Sequence, residues 1–112
     1  MPSLRYQDQN NNVFLIKDGQ LDYTPIRAEE SSSGVYSGGK AARLQLSEAE
    51  HTEIFNLVKK VVAKSSVHTP QRRMMTAILA CQLDTEWQRF TLLRSPLRTE
   101  LEELLRSMIK KD

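Results

Sequence analysis

Asp18-Gly19 sits between two runs of β-forming residues, Val13-Phe14-Leu15-Ile16-Lys17 and Gln20-Leu21-Asp22-Tyr23-Thr24, and leaves the chain little local choice. Two residues linking two strands close best as a type I′ turn, which needs positive φ at both positions. Asp-Gly accepts that conformation at low steric cost. A β-hairpin over 13–24 follows. Leu21 and Tyr23 alternate with polar residues, so one face of the second strand looks inward. Pro25 ends that strand or places it at an edge.

The remaining segments fall in place around this hairpin. Leu4–Gln7 reads as a short strand, and the polar run 8–12 as a turn. Ala42, Leu44 and Leu46 alternate with polar neighbours, which predicts a strand over 42–46. Ser47-Glu48-Ala49-Glu50 is a capping box, so a helix should run over 48–64 with Ile54, Leu57, Val58, Val61 and Val62 as its buried stripe. Residues 65–70 read as a connector. Segment 71–83 has two readings. Met74, Met75, Ile78 and Leu79 form a helical face, whereas Met75, Ala77, Leu79, Cys81 and Leu83 form the inward face of a strand. The strand is favoured, because the β-rich run 87–93 needs a partner and this is the nearest, across a turn at 84–86. Ser95-Pro96 opens a last helix with Leu97, Leu101, Leu104, Leu105 and Met108 along one side. The expected class is α+β: an antiparallel sheet built from a hairpin plus one strand, a helix, a second hairpin and a helix, with both amphipathic helices packed on one face. The 112 residues are expected to form a single domain, 1–112, with 27–40 as a Gly/Ser-rich surface loop within it.

Composition excludes more than it assigns. The net charge is +2, hydrophobic residues make up 39% and mean hydropathy is −0.49, the profile of a water-soluble protein. The longest apolar runs fall far short of the ~20 residues a membrane span requires, and the N-terminus has no signal-peptide pattern. Cys81 is the only cysteine, so no internal disulfide can form, which suits a reducing, cytoplasmic setting. Its apolar neighbours predict a buried, inert thiol. His51 and His68 follow no metal-ligand spacing, so neither a metal nor a cofactor is expected. An acid–base pairing of His51 with Glu48 or Glu50 competes with ordinary solvation on a helix surface. Glu100, Glu102 and Glu103 are explained by the positive end of the last helix. Lys59, Lys60, Lys64, Arg72 and Arg73 form an acid-free basic stretch, yet the aromatics that usually interleave with cations in nucleic-acid binders are missing from it. That argues against a nucleic-acid partner.

The remaining candidate is the loop. It holds three of the four glycines, and Gly34-Val35-Tyr36-Ser37-Gly38-Gly39-Lys40 matches G-x-x-x-x-G-K. A phosphate-binding loop would continue with Ser or Thr and open a helix. Here Ala41 follows, and then a β-patterned segment. Nucleotide hydrolysis is therefore set aside. What survives is a binding role for Ser33, Gly34, Tyr36, Ser37, Gly38, Gly39 and Lys40, with Tyr36 stacking and Lys40 supplying charge. The expectation is a non-enzymatic binding or regulatory module, with a protein partner or self-association through an exposed strand edge. A small-ligand or anion-binding protein using the same loop is the alternative. An enzyme acting through Tyr36, Ser37, Lys40 or His51 is a further one.

Overall fold

A computed structural model describes residues 2–26, 39–64, 67–70, 75–83 and 86–109. The elements are β1 (Leu4–Gln7), β2 (Val13–Lys17), β3 (Gln20–Thr24), β4 (Ala42–Gln45), α1 (Glu48–Ala63), β5 (His68–Thr69), β6 (Ala77–Leu83), β7 (Glu86–Leu92) and α2 (Pro96–Ile109). The β2–β3 turn has Asp18 at φ 54° and Gly19 at φ 76°, both positive as a type I′ turn demands. The capping box is complete. Glu50 N–H donates to Ser47 Oγ at 3.1 Å, and Ser47 N–H donates to Glu50 Oε1 at 2.9 Å. Of the helix's free N-terminal donors this satisfies two, and it fixes the start of α1.

The strands form one antiparallel sheet in the order β4-β3-β2-β1-β6-β7-β5. The fold is α+β, as the sequence predicts. β1 lies at the centre, with Leu4 opposite both Ile16 of β2 and Cys81 of β6. Leu4, Tyr6, Phe14, Ile16, Leu21, Leu79 and Cys81 face inward and are fully buried. There they meet Ile54, Phe55, Val58 and Val61 of α1, and Leu101, Leu105 and Met108 of α2. Each such aliphatic or aromatic side chain contributes about 1.5–3 kcal/mol by leaving water. Both helices thus pack on one face of the sheet, and among the described residues no helix lies on the other. Among the described residues, no helix is long and apolar enough to cross a membrane.

Segment 71–83 resolves in favour of the strand, but it begins later than the alternation suggests. Residues 77–83 pair with β1 on one side and β7 on the other, two ladders that a helix could not supply. Met75, expected among the inward residues, instead sits in a turn at φ 65° and is 45% exposed. The connector 65–70 also contains a two-residue strand, β5, which pairs with the end of β7.

Candidate functional site

A dense polar cluster forms where the β1–β2 turn meets α2. The alternation of β1 turns Tyr6 inward, where it is fully buried, and its hydroxyl donates to Glu102 Oε2. The same carboxylate oxygen takes Arg98 Nε at 3.2 Å, one helical turn away. Arg98 is buried, its side chain only 4% exposed. Its Nη1 donates to the carbonyls of Met75 (2.7 Å) and Leu92 (3.2 Å), and its Nη2 to Gln9 Oε1 (2.8 Å). Asp8, also buried, folds the turn around itself. Its Oδ1 accepts the N–H groups of Asn10 and Asn12, both at 2.9 Å, and its Oδ2 accepts Asn12 Nδ2 at 3.0 Å. Arg106 Nη2 lies 3.5 Å from the same Oδ2. A cavity of about 230 Å³ opens beside this network, walled by Asp8, Gln9, Arg94, Arg98, Glu102 and Arg106 among others.

The chemistry of this cluster is that of a structural joint. Burial, with the Glu102 carboxylate beside it, pushes the Tyr6 hydroxyl far above its ordinary range, so it stays a proton donor in neutral water. Among the described residues, no buried side-chain nitrogen or oxygen lacks a hydrogen-bond partner. A guanidinium committed to two carbonyls, an amide oxygen and a carboxylate has few donors left for a substrate. Sequence reasoning missed this joint. Its one readable signal was the spacing of Arg98 and Glu102, and Glu102 is far more than a charge at the helix start.

The histidines are likewise engaged. His51 is buried, stacks on Phe55 at 4.5 Å and turns Nε2 to the Pro2 carbonyl at 3.2 Å. It is not directed at Glu48, and Glu50 serves the capping box. His68 Nε2 lies 3.0 Å from the Val61 carbonyl, with its ring 5.0 Å from Phe90. Among the described residues, no group of three or more His, Cys, Asp or Glu side chains could hold a metal ion. Cys81 is buried, and burial raises its thiol pKa.

Of the loop residues singled out from the sequence, Ser33, Gly34, Tyr36, Ser37 and Gly38 lie outside the described residues. Gly39 and Lys40 are described. Both are exposed, Gly39 has φ +98°, and the chain passes through Ala41 into β4, not into a helix. A hollow of about 350 Å³ lies at this end of the loop, bordered by Asp22, Thr24, Ala41 and Arg43.

The face of the sheet opposite the helices is the second feature. Strand registers align Arg43, Asp22, Leu15, Arg5, Ala80 and Arg89 in one row across six strands. Lys17 and Trp87 stand on the same face, one step along their strands. Arg5, Lys17, Arg43 and Arg89 are exposed, and Trp87 is 54% exposed. Among the described residues of this row, Asp22 is the one acid, and it is paired with Arg43 at 2.8 Å. At about 4.8 Å per strand, the row spans roughly 24 Å. None of these cations belongs to the basic stretch noted in the sequence. Of that stretch, Lys59, Lys60 and Lys64 are exposed, and Arg72 and Arg73 lie outside the described residues. No family model matches the chain, and no curated protein or solved structure is detectably similar to it.

Proposed function

We propose that this chain is a small non-enzymatic binding module that recognises an acidic protein partner across the face of its sheet opposite the helices. The Gly/Ser loop around Tyr36 and Lys40 belongs to the same reading, and its described end, at Lys40, leads into β4. The observation that carries this reading is the row of exposed arginines, with Lys17 and Trp87 beside it and, among the described residues of the row, a single acid that is already paired. Among the described residues, the buried polar side chains, by contrast, all have hydrogen-bond partners within the fold. Lys40 and Arg43, both exposed, extend the positive surface toward the loop. An extended acidic segment lying across the strands could meet several of these cations at once, with Trp87 offering an apolar contact. A protein with one buried thiol and no disulfide suits the reducing cytoplasm.

Trp87 is the only tryptophan, so its fluorescence reports on this face directly. Titration with an oligoglutamate peptide should change that fluorescence saturably. The Arg5→Glu/Arg89→Glu double variant should weaken binding by about tenfold or more, and Tyr36→Ala should weaken it without lowering the melting temperature. An oligothymidylate that binds tighter than the peptide would assign the face to single-stranded nucleic acid. No response to either probe would remove the reading.

A further inference from the structure

Among the described residues, only part of β7's outer edge is paired with a strand. Its neighbour β5 covers only the end of it, pairing Thr69 with Thr91 and His68 with Leu92. Among the described residues, nothing pairs with 86–90 on that side. Two backbone hydrogen bonds fix which groups point outward. Gln82 N–H donates to the Ser3 carbonyl at 2.9 Å, so Gln82 and Ala80 turn toward β1, and Leu79 and Cys81 turn toward β7. Their partners Phe90 and Gln88 therefore turn inward to β6. Leu93 N–H donates to the Val67 carbonyl at 2.7 Å, which gives the same parity from the other end. Trp87 and Arg89 thus present their N–H and C=O groups to the open edge. A groove of about 560 Å³ runs beside it, bordered by Thr69, Pro70, Arg89 and Phe90.

We infer that this edge pairs with the same edge of a second copy, antiparallel, about a twofold axis at Gln88. The inference is independent of the acidic-partner reading. In this register Trp87 lies opposite the second copy's Arg89, and Arg89 opposite its Trp87. Each of the two pairs exchanges two backbone hydrogen bonds, so all four outward groups are satisfied. Both side chains stand on the face opposite the helices, where each guanidinium can lie over an indole ring, a favourable cation–π contact. Neighbouring registers fail. Sliding by two residues one way sets Arg89 against Arg89 and requires Thr91, which β5 already occupies. Sliding the other way enlists residue 85, beyond the strand's first residue, Glu86. The edge has neither proline nor lysine between 86 and 90, two of the residues that most often block such pairing. Five residues a side make a small interface, so the dimer belongs in the micromolar range.

Sedimentation over about 5 to about 500 µM should show the mass rising from 12.9 kDa toward twice that value. Arg89→Pro deletes an outward N–H and no bond to β6, so it should remain folded by circular dichroism and stay monomeric. In a Cys81→Ser background, mild oxidation should cross-link Gln88→Cys, which sits on the axis in a non-hydrogen-bonded pair. Trp87→Cys should cross-link at least about tenfold more slowly, being opposite Arg89 and not itself. A wild-type chain that stays monomeric throughout, or equal cross-linking at both positions, would overturn the inference. Arg5→Glu, remote from the edge, should impair oligoglutamate binding and leave sedimentation unchanged, which separates this inference from the preceding one.

Discussion

Arg98 shows how much one residue can hold. It ties the β1–β2 turn, the end of β7 and the turn at Met75 to α2 through four partners. Removing it leaves Glu102 and two carbonyls facing a cavity. Arg98→Met should therefore cost about 3–5 kcal/mol, read as a lower urea midpoint. Tyr6→Phe removes one donor to Glu102 and should cost about 1–3 kcal/mol. The same hydroxyl carries a pH dependence. Its folded pKa is raised above its ordinary value near 10. The native state therefore keeps a proton that the unfolded chain loses as pH rises past that value. The stabilisation is complete below pH 10 and declines above it, by about 1.4 kcal/mol per pH unit for this one group. Urea unfolding at several alkaline pH values should show a steeper loss for the wild type than for Tyr6→Phe.

Among the elements, those with local chemistry behave as their residues dictate. The I′ turn follows from Asp-Gly, and the start of α1 follows from Ser47 and Glu50. α2 starts at Pro96, with Ser95 Oγ accepting the Arg98 N–H at 3.1 Å. Ser47→Ala should lower stability by about 1 kcal/mol, measured by thermal or urea unfolding. Gly19→Val should lower it by about 1–2 kcal/mol or more, because a β-branched residue resists positive φ. β6 was ambiguous for a physical reason. Its run of apolar residues is buried on both faces near its start, where Ile78 and Leu79 are both buried, so neither period stands out. β5 is two residues long and has no pattern of its own; it exists because β7 offers it an edge.

For the molecule as a whole, the decisive contact is the least local. β1 pairs with β6 across most of the chain and joins the β4-β3-β2 half of the sheet to the β7-β5 half. Deleting residues 1–7 should leave both halves with raw edges and abolish the cooperative unfolding transition in circular dichroism. The charge pattern is also a property of the whole. Arg5, Lys17, Arg43 and Arg89 are scattered in the sequence and come together only through the sheet. Oligoglutamate binding should consequently weaken steeply between about 50 and about 200 mM salt, whereas folding stability should change little.

The hairpin, the two capped helices and the α+β class were legible because turn chemistry, capping and periodicity act between residues a few positions apart. Strand order, the joint of Tyr6, Arg98 and Glu102, and the row of cations on the face opposite the helices depend on pairings between distant segments. No local propensity encodes these. They were settled when burial of one apolar sheet face against two helices selected a single register for seven strands. That register decided which side chains were left facing water.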